Sequence, residues 1–528
     1  MTKEVAFDTD ARNRLAVGID KIADMVKITL GPKGRNVVIE KKFYPPIVTN
    51  DGATIAKSVD LEDPYENMGA QLIKGAAAKT NDVAGDGTTT ATVLAQAMIK
   101  EGLKNLAAGA NPVMLNKGIE IGISQTLEQL KKIAQPISAK EDMAHVACIS
   151  AKDPQIGYLL ADAFDRLGMD CAISVDSSQT TENYLEIRDG FQFDKGYISK
   201  EMINDVEKAR VEYDDAYILY IDKKFQSVND IYPILENAIK MGKPLLMVVD
   251  ELEGEALQII NINNLRGTFQ IAAVEAPTHG DNRIRELEDY AAITGGYPIT
   301  SAYDIATDKI TPEMYGRADK IIISKNATAI VGGKGDKNRV KQRVDSIKDE
   351  MKQYPSEFTT KICQQRLERL AGGAAILKVS AMTEADLAER KMRAEDAINA
   401  TKAAMEEGIV PGGGCAYVHA AKMLGEIKEE NADIKTGIEL VKRALTAPLW
   451  QIAQNAGKDG YVIVDEVQKL ATNNGYDALN DCYGNMFIFG IIDPLKVSRS
   501  ALENAASIAK MVLTTESMIG EKDKANKK

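Results

Sequence analysis

Residues 84–92 read Ala-Gly-Asp-Gly-Thr-Thr-Thr-Ala-Thr. One carboxylate, Asp86, stands between two glycines, and the hydroxyls of Thr88, Thr89 and Thr90 follow at once. Val93, Leu94, Ala97 and Met98 then share one helical face. A glycine turn therefore opens onto a helix N-terminus, whose unpaired N–H groups and positive partial charge suit a phosphate. Glycine lets the backbone come close to such an anion. The carboxylate of Asp86 suits a Mg²⁺ that bridges phosphate oxygens. The same residues also read as an ordinary helix start capped by a threonine hydroxyl, and the local pattern leaves both readings open. No Gly-x-x-x-x-Gly-Lys-Ser/Thr occurs, so this is not the P-loop.

Three further stretches are of the same kind. Residues 29–36 read Thr-Leu-Gly-Pro-Lys-Gly-Arg-Asn, a rigid turn around Pro32. Asn50-Asp51-Gly52 is a second acidic-glycine turn. Residues 408–414 read Gly-Ile-Val-Pro-Gly-Gly-Gly, a hinge or a backbone surface against which a flat ring can lie. Each alone reads as a turn.

The elements that must position these turns are mostly helical at both ends of the chain. Apolar spacing predicts helices over 11–28, 64–84, 113–134, 383–407, 413–426, 433–456 and 497–515. The middle alternates short β-branched runs at 216–221, 245–249, 269–274 and 320–324 with helical stretches at 227–241, 253–265 and 337–353. That alternation is the pattern of an α/β layer. The simplest topology inserts an α/β domain into a helical one, with glycines at Asp189-Gly190 and Gly372-Gly373 as joints.

The chain has 528 residues and a net charge of −12. That length allows about three domains, and the acidic balance argues against nucleic acid as the main partner. No apolar run reaches the ~18 residues of a membrane span, and the first residues carry early acids rather than a leader's apolar stretch. Cys148, Cys171, Cys363, Cys415 and Cys482 are scattered, and His145, His279 and His419 are isolated, so neither disulfides nor a zinc site is expected. The end, residues 521–528, is lysine-rich without an apolar anchor and reads as disordered.

Taken together and in order, Gly31-Pro32-Lys33-Gly34, Asn50-Asp51-Gly52, Gly85-Asp86-Gly87-Thr88-Thr89-Thr90 and Pro411-Gly412-Gly413-Gly414 resemble the group I chaperonins, the bacterial and organellar sixty-kilodalton ring chaperones. The resemblance runs from Lys3 to about Met518 and includes Asn67-Met68-Gly69-Ala70-Gln71-Leu72, Glu253-Gly254-Glu255-Ala256-Leu257, Tyr483-Gly484-Asn485-Met486 and Asp493-Pro494. It implies a multidomain protein. Residues 1–132 and 407–528 would form a mainly α-helical equatorial domain, with a disordered tail from about 519. Residues 133–188 and 375–406 would form a small α/β intermediate domain, and 189–374 an inserted α/β apical domain. Pro136 and Gly408 would sit at the lower hinge, Gly190 and Gly373 at the upper.

The resemblance also implies an ATPase. Asp86 would ligate Mg²⁺, and Gly87, Thr88, Thr89 and Thr90 would hold phosphates. Thr29, Leu30, Gly31 and Pro32 would wrap the nucleotide from the other side. Asp51 would orient the metal, a potassium ion or the attacking water. Gly412, Gly413, Ala478, Ile491 and Asp493 would meet the adenosine. Asp396 reads locally as one acid on a charged helix face; by resemblance it positions the water when the intermediate domain closes. Glu395 points about 100° away around the helix.

Implied partners are further copies of the chain in stacked heptameric rings, a small lid co-chaperonin, and unfolded polypeptides bound by an exposed set of Tyr197, Tyr232, Leu235, Leu257 and Ile262. The implied compartment is a bacterial cytoplasm or a plastid stroma. Several residues depart from the family pattern. Glu201 and Met202 stand for a Tyr-Phe pair, Asn261 and Tyr232 for aliphatics, Asp477 for an asparagine and Leu479 for an alanine. The polar apical changes leave a second reading open, a ring-forming holdase or scaffold with weak ATPase activity.

Overall fold

The computed structural model describes residues 3–521, apart from 42, 43, 170, 179, 207, 301–304, 354–361, 364, 368, 371, 372 and 426. Backbone packing divides the chain into two units, 1–161 with 179–183 and 379–528, and 162–178 with 184–378.

The first unit is built from long helices whose starts are fixed by side-chain caps. Asp63 accepts from the N–H groups of Tyr65 and Glu66, with Pro64 as first helical residue, and opens helix Pro64–Ala84. Asn111 with Pro112 does the same for helix Pro112–Ile133. Proline suits that position because its missing N–H would have no helical partner there. Leu15, Ile19, Ile22 and Val26 recur along helix Asp8–Lys27 and are buried with Leu94, Met98, Leu115, Ile119, Val441, Leu502 and Val512 in one core. Helices Asp8–Lys27 and Pro64–Ala84 cross at two glycines. A Cβ on Gly18 would fall 1.8 Å from the Glu66 carbonyl oxygen, and one on Gly69 would fall 2.1 Å from that of Leu15.

The helix expected over 433–456 is two, Ala432–Ala444 and Ala447–Asn455. Pro448 has no N–H to continue the ladder, so the chain restarts there. Four two-stranded ribbons complete the unit. Ile409–Pro411 pairs with Ile492–Pro494, and Asn474–Asp477 with Cys482–Asn485. Val37–Lys41 pairs with Tyr44–Thr49. Lys3–Phe7 pairs with Ser517–Glu521. That last ribbon corrects the tail expected from about 519: Met518 is buried in the core and the strand continues to Glu521, while residues 522–528 lie outside the described ones.

The second unit is an eight-stranded mixed sheet. Its order is Ala172–Ser177, Gly373–Val379, Tyr184–Phe193, Thr328–Gly333, Gly316–Ile323, Val211–Phe225, Leu245–Leu252, Ile271–Glu275. The last three strands run parallel to one another, and the pairings from Gly373–Val379 through to Val211–Phe225 are antiparallel. Helices Val228–Met241 and Gly254–Leu265 are the crossovers of the parallel part. Leu245 to Val249 are all buried, as expected where helices cover a parallel sheet. The runs 216–221 and 245–249 fall within strands of this sheet, and 269–274 and 320–324 overlap Ile271–Glu275 and Gly316–Ile323 except at 269, 270 and 324.

Candidate functional site

The turns singled out in the sequence meet in the first unit. Gly85 and Gly87 both take positive φ, 69° and 87°. Gly85 closes helix Pro64–Ala84, and Gly87 opens helix Thr88–Ala107 without a side-chain cap. The helical ladder begins with Ala91 N–H to the Gly87 carbonyl at 2.9 Å. The N–H groups of Thr88, Thr89 and Thr90 therefore precede it. Asp86 lies between the two glycines. Its carboxylate accepts from Gly87 N–H at 2.5 Å and from the Ser150 hydroxyl at 3.3 Å.

Asp51 caps the next helix, Gly52–Lys57, accepting from Ala53 N–H at 3.2 Å and Thr54 N–H at 2.6 Å. The two turns touch: a Cβ on Gly52 would fall 2.5 Å from the Thr89 hydroxyl and 3.0 Å from that of Thr88. Helix Glu384–Glu407 closes the third side, since a Cβ on Gly85 would fall 2.2 Å from Cβ of Asn399. Asp396 lies three residues before that contact, on the same helix.

The electrostatics record the crowding. Burial pushes the Asp86 carboxyl up, the charge of Asp51 pushes it further, and Gly87 N–H, Ser150 and Lys152 pull it back. Asp396 is raised well above the ordinary carboxylate range by burial, then by Asp86, Asp51 and Glu395. Lys152 is lowered, by burial first and by Arg393 second, while Asp86, Glu389 and Asp396 favour its charge. Lys152 ends helix Lys140–Ala151 with φ 53°. The Asn50 side-chain oxygen, in the orientation that satisfies both ends of its amide, accepts from Arg393 at 3.0 Å and Lys152 at 3.2 Å. Carboxylates that raise one another in this way form a site that a divalent cation would relieve. Among the described residues no group of three His, Cys, Asp or Glu side chains could hold a metal alone. The donor set therefore fits an ion that shares its ligands with phosphate, as Mg²⁺ commonly does.

A buried apolar cluster lies in the same unit. Ala478 is buried with Cys415, Leu449, Ile452, Tyr476 and Met486, and Leu30 and Ile491 pack on this cluster. The Asn455 amide donates to the carbonyls of Lys27 and Leu30, each at 2.9 Å, and so pins the loop of Thr29, Leu30, Gly31 and Pro32. The Thr29 hydroxyl is turned inward and donates to the Val26 carbonyl at 2.8 Å, and the Thr29 N–H donates to the same oxygen at 3.1 Å. Gly412 donates to the Ile491 carbonyl at 2.9 Å, and Gly413 and Gly414 take positive φ. The N–H groups of Gly413 and Gly414 donate to the Asp493 carboxylate, yet burial and Asp86 push that carboxyl up to about 7. Asp477 is buried and spends both oxygens on its own turn, accepting from Leu479 N–H, Asn480 N–H and the Asn480 amide.

The expected polypeptide-binding residues lie in the second unit and divide. Tyr232 is 60% exposed and Ile262 48%. Leu235 is 5% exposed and part of the core, which corrects its placement in an exposed set. It shares a helical face with the buried Ile231 and Ala238. Tyr197 and Leu257 are half-buried against the same core.

Ser150, Lys152 and Asn455 escape a reading of the sequence. Each is an isolated polar residue without a local signal, and only the tertiary fold brings it to the turns.

The model of the TCP-1/cpn60 chaperonin family matches residues 22–523. Among solved structures, the chaperonin gp146 from the bacteriophage EL 2 (Pseudomonas aeruginosa), determined in presence of ATP-BeFx, aligns with a TM-score of 0.69. The alignment covers 98% of this chain and 99% of that one, at 20% sequence identity.

Proposed function

The chain belongs to the TCP-1/cpn60 chaperonin family, and from that premise we propose that it is an ATP-driven ring chaperonin of the group I type. It captures non-native polypeptides on its apical domain and releases them into a chamber closed by a lid co-chaperonin. The observation that carries the ATPase half is the meeting of Asp51, Asp86 and Asp396 beside the uncapped helix start at Thr88. These residues come from three distant stretches of the chain.

In this reading Gly87, Thr88, Thr89 and Thr90 hold phosphate oxygens through the glycine turn and the helix N-terminus. Leu30, Ala478 and Ile491 give the purine an apolar surface, and Gly412, Gly413 and Asp493 meet the sugar. Asp86 would hold Mg²⁺, which when bound neutralises phosphate charge, and Asp51 would help orient the metal, a nearby potassium ion or the attacking water. Asp396, raised by burial and then by the neighbouring carboxylates, orients the attacking water and accepts its proton. Its helix, Glu384–Glu407, belongs to the intermediate segment and packs on helix Lys140–Ala151 of the same unit, and movement of this pair would gate the step. The compartment, a bacterial cytoplasm or a plastid stroma, rests on the sequence resemblance.

Ring assembly is supported by the ribbons. Val5, Phe7 and Ile519 on one, and Val38 and Val48 on another, are exposed apolar residues on two-stranded sheets. Such ribbons have free edges and gain stability from a further strand. Stacked heptamers with equatorial contacts between copies would cover them.

The test is steady-state ATP turnover of the wild type against Asp396→Ala, with nucleotide binding measured alongside. A variant that binds ATP but hydrolyses it very slowly supports the reading. Equal, slow turnover in both would reduce the protein to a holdase or scaffold and remove Asp396 from the chemistry.

A further inference from the structure

A polar chain runs along one side of the helix that carries Ile262. The Asn261 amide donates to the Ser199 hydroxyl at 3.0 Å, and that hydroxyl donates to the Glu201 carboxylate. An exposed carboxylate on the 200–202 turn is thus tied to helix Gly254–Leu265. The Ser199 bond also holds Glu201 below its ordinary range, so it stays charged.

The exposed face of that helix is Glu255, Gln258, Ile262 and Leu265, at spacings of three and four. Leu265 is 73% exposed. Helix Val228–Met241 touches it and shows the same spacing: Asn229, Tyr232, Glu236 and Ile239. Each stripe therefore mixes large apolar groups with a carboxylate. Glu201, Asp230, Glu236, Glu253 and Glu255 are exposed around them, against Lys200, Lys240 and Arg266. Lys240 is already paired with Glu236 at 2.8 Å. The face is apolar with an excess of negative charge.

Apolar contact is non-directional and holds many sequences alike. Charges around it decide which sequences dock and how fast. We propose that this face selects unfolded segments by charge, taking those whose aliphatic or aromatic side chains alternate with Lys and Arg. Glu201 and Glu255 are the acceptors for those cations. This deepens the client-capture reading above and rests on it.

The assembled full chain is titrated against two labelled peptides of one apolar sequence, one interspersed with Lys and one with Glu, by fluorescence anisotropy. The Lys peptide is expected to bind about 5-fold or more tighter at 0.1 M salt, two exposed ion pairs being involved. The difference should collapse at 1 M salt, where the screening length falls from about 10 Å to about 3 Å. Glu201→Gln should lose about half of the discrimination on a logarithmic scale, and Glu255→Gln, which leaves the Ser199 chain intact, should lose a similar share. Equal binding of both peptides, or discrimination unchanged in both variants, overturns the proposal while client capture stands. Binding of neither peptide overturns client capture and this proposal with it.

Discussion

Gly85→Ala tests whether the approach of helix Glu384–Glu407 to the Asp86 turn is what makes the site reactive. Two costs add. Position 85 has φ 69°, where an L side chain is disfavoured by about 1–2 kcal/mol. The new methyl would also lie 2.2 Å from Cβ of Asn399, inside any permitted contact. Overpacking of this sort costs about 1–3 kcal/mol. The turn relieves both by letting the helix carrying Asp396 move off, so the packed arrangement becomes disfavoured by about 2–5 kcal/mol. At about 1.4 kcal/mol per factor of ten, single-turnover ATP hydrolysis should fall at least about 30-fold. Nucleotide affinity should change far less, because the N–H groups at Thr88 to Thr90 are untouched. Asn399→Gly in the same chain removes the opposing Cβ but not the backbone cost. It should restore at least about 5-fold of the lost rate. A Gly85→Ala protein that hydrolyses at the wild-type rate would refute the reasoning, since Asp396 would then be dispensable to the turn. So would a loss that Asn399→Gly leaves unchanged.

Three further outcomes are expected. The Asp493 carboxyl is pushed up to about 7, so the native state keeps a proton that the unfolded chain releases near pH 4. Stability is therefore lost as pH rises from about 4 through 7. Asp493→Asn should raise the thermal midpoint without nucleotide at pH 8, lose the gain at pH 4, and weaken ATP binding; a gain that does not vary with pH would contradict this. In the second unit Asp289 is buried between Arg366, at 2.6 Å, and Arg343, at 2.5 Å. Asp289→Asn removes the carboxylate the two guanidinium groups share, leaving Arg366 on Glu350 and Arg343 on Glu288, and should cost about 1–3 kcal/mol in denaturant unfolding. Leu94 is fully buried in the helical core, and Leu94→Ala should cost about 2–5 kcal/mol by the same measurement.

The turns were legible because glycine, proline and aspartate report backbone constraints locally. Gly85, Gly87 and Asp51 do what their types and spacing imply. The helical and α/β segments were legible from their periods. Lys152 and Ser150 were not, because a single polar residue at a helix end carries no mark of what the fold will set beside it. The break before Pro448 was readable from the residue itself, but the apolar period continues across it and hides it. Leu235 is a different case. Its spacing to Ile231 and Ala238 placed it on the inner face, and Tyr232 on the outer one, so the helix period held the answer that family position obscured.

The strand pair Lys3–Phe7 with Ser517–Glu521 has a consequence for synthesis on the ribosome. A chain emerges from its N-terminal side onward, so strand Lys3–Phe7 waits for a partner that lies far downstream, at Ser517–Glu521. The first unit also needs helix Leu495–Thr514 to complete its core. It therefore cannot close until Leu495–Thr514 and Ser517–Glu521 have been made. The sheet of the second unit is almost all drawn from 184–378 and can form while the tail is still being made. Helices Asp8–Lys27, Pro64–Ala84 and Thr88–Ala107 pack on one another as they emerge, but the surface they turn to helix Leu495–Thr514 stays uncovered for most of that interval. Domains generally fold as they emerge; this one is arranged so that its oldest segment is among the last to find its place.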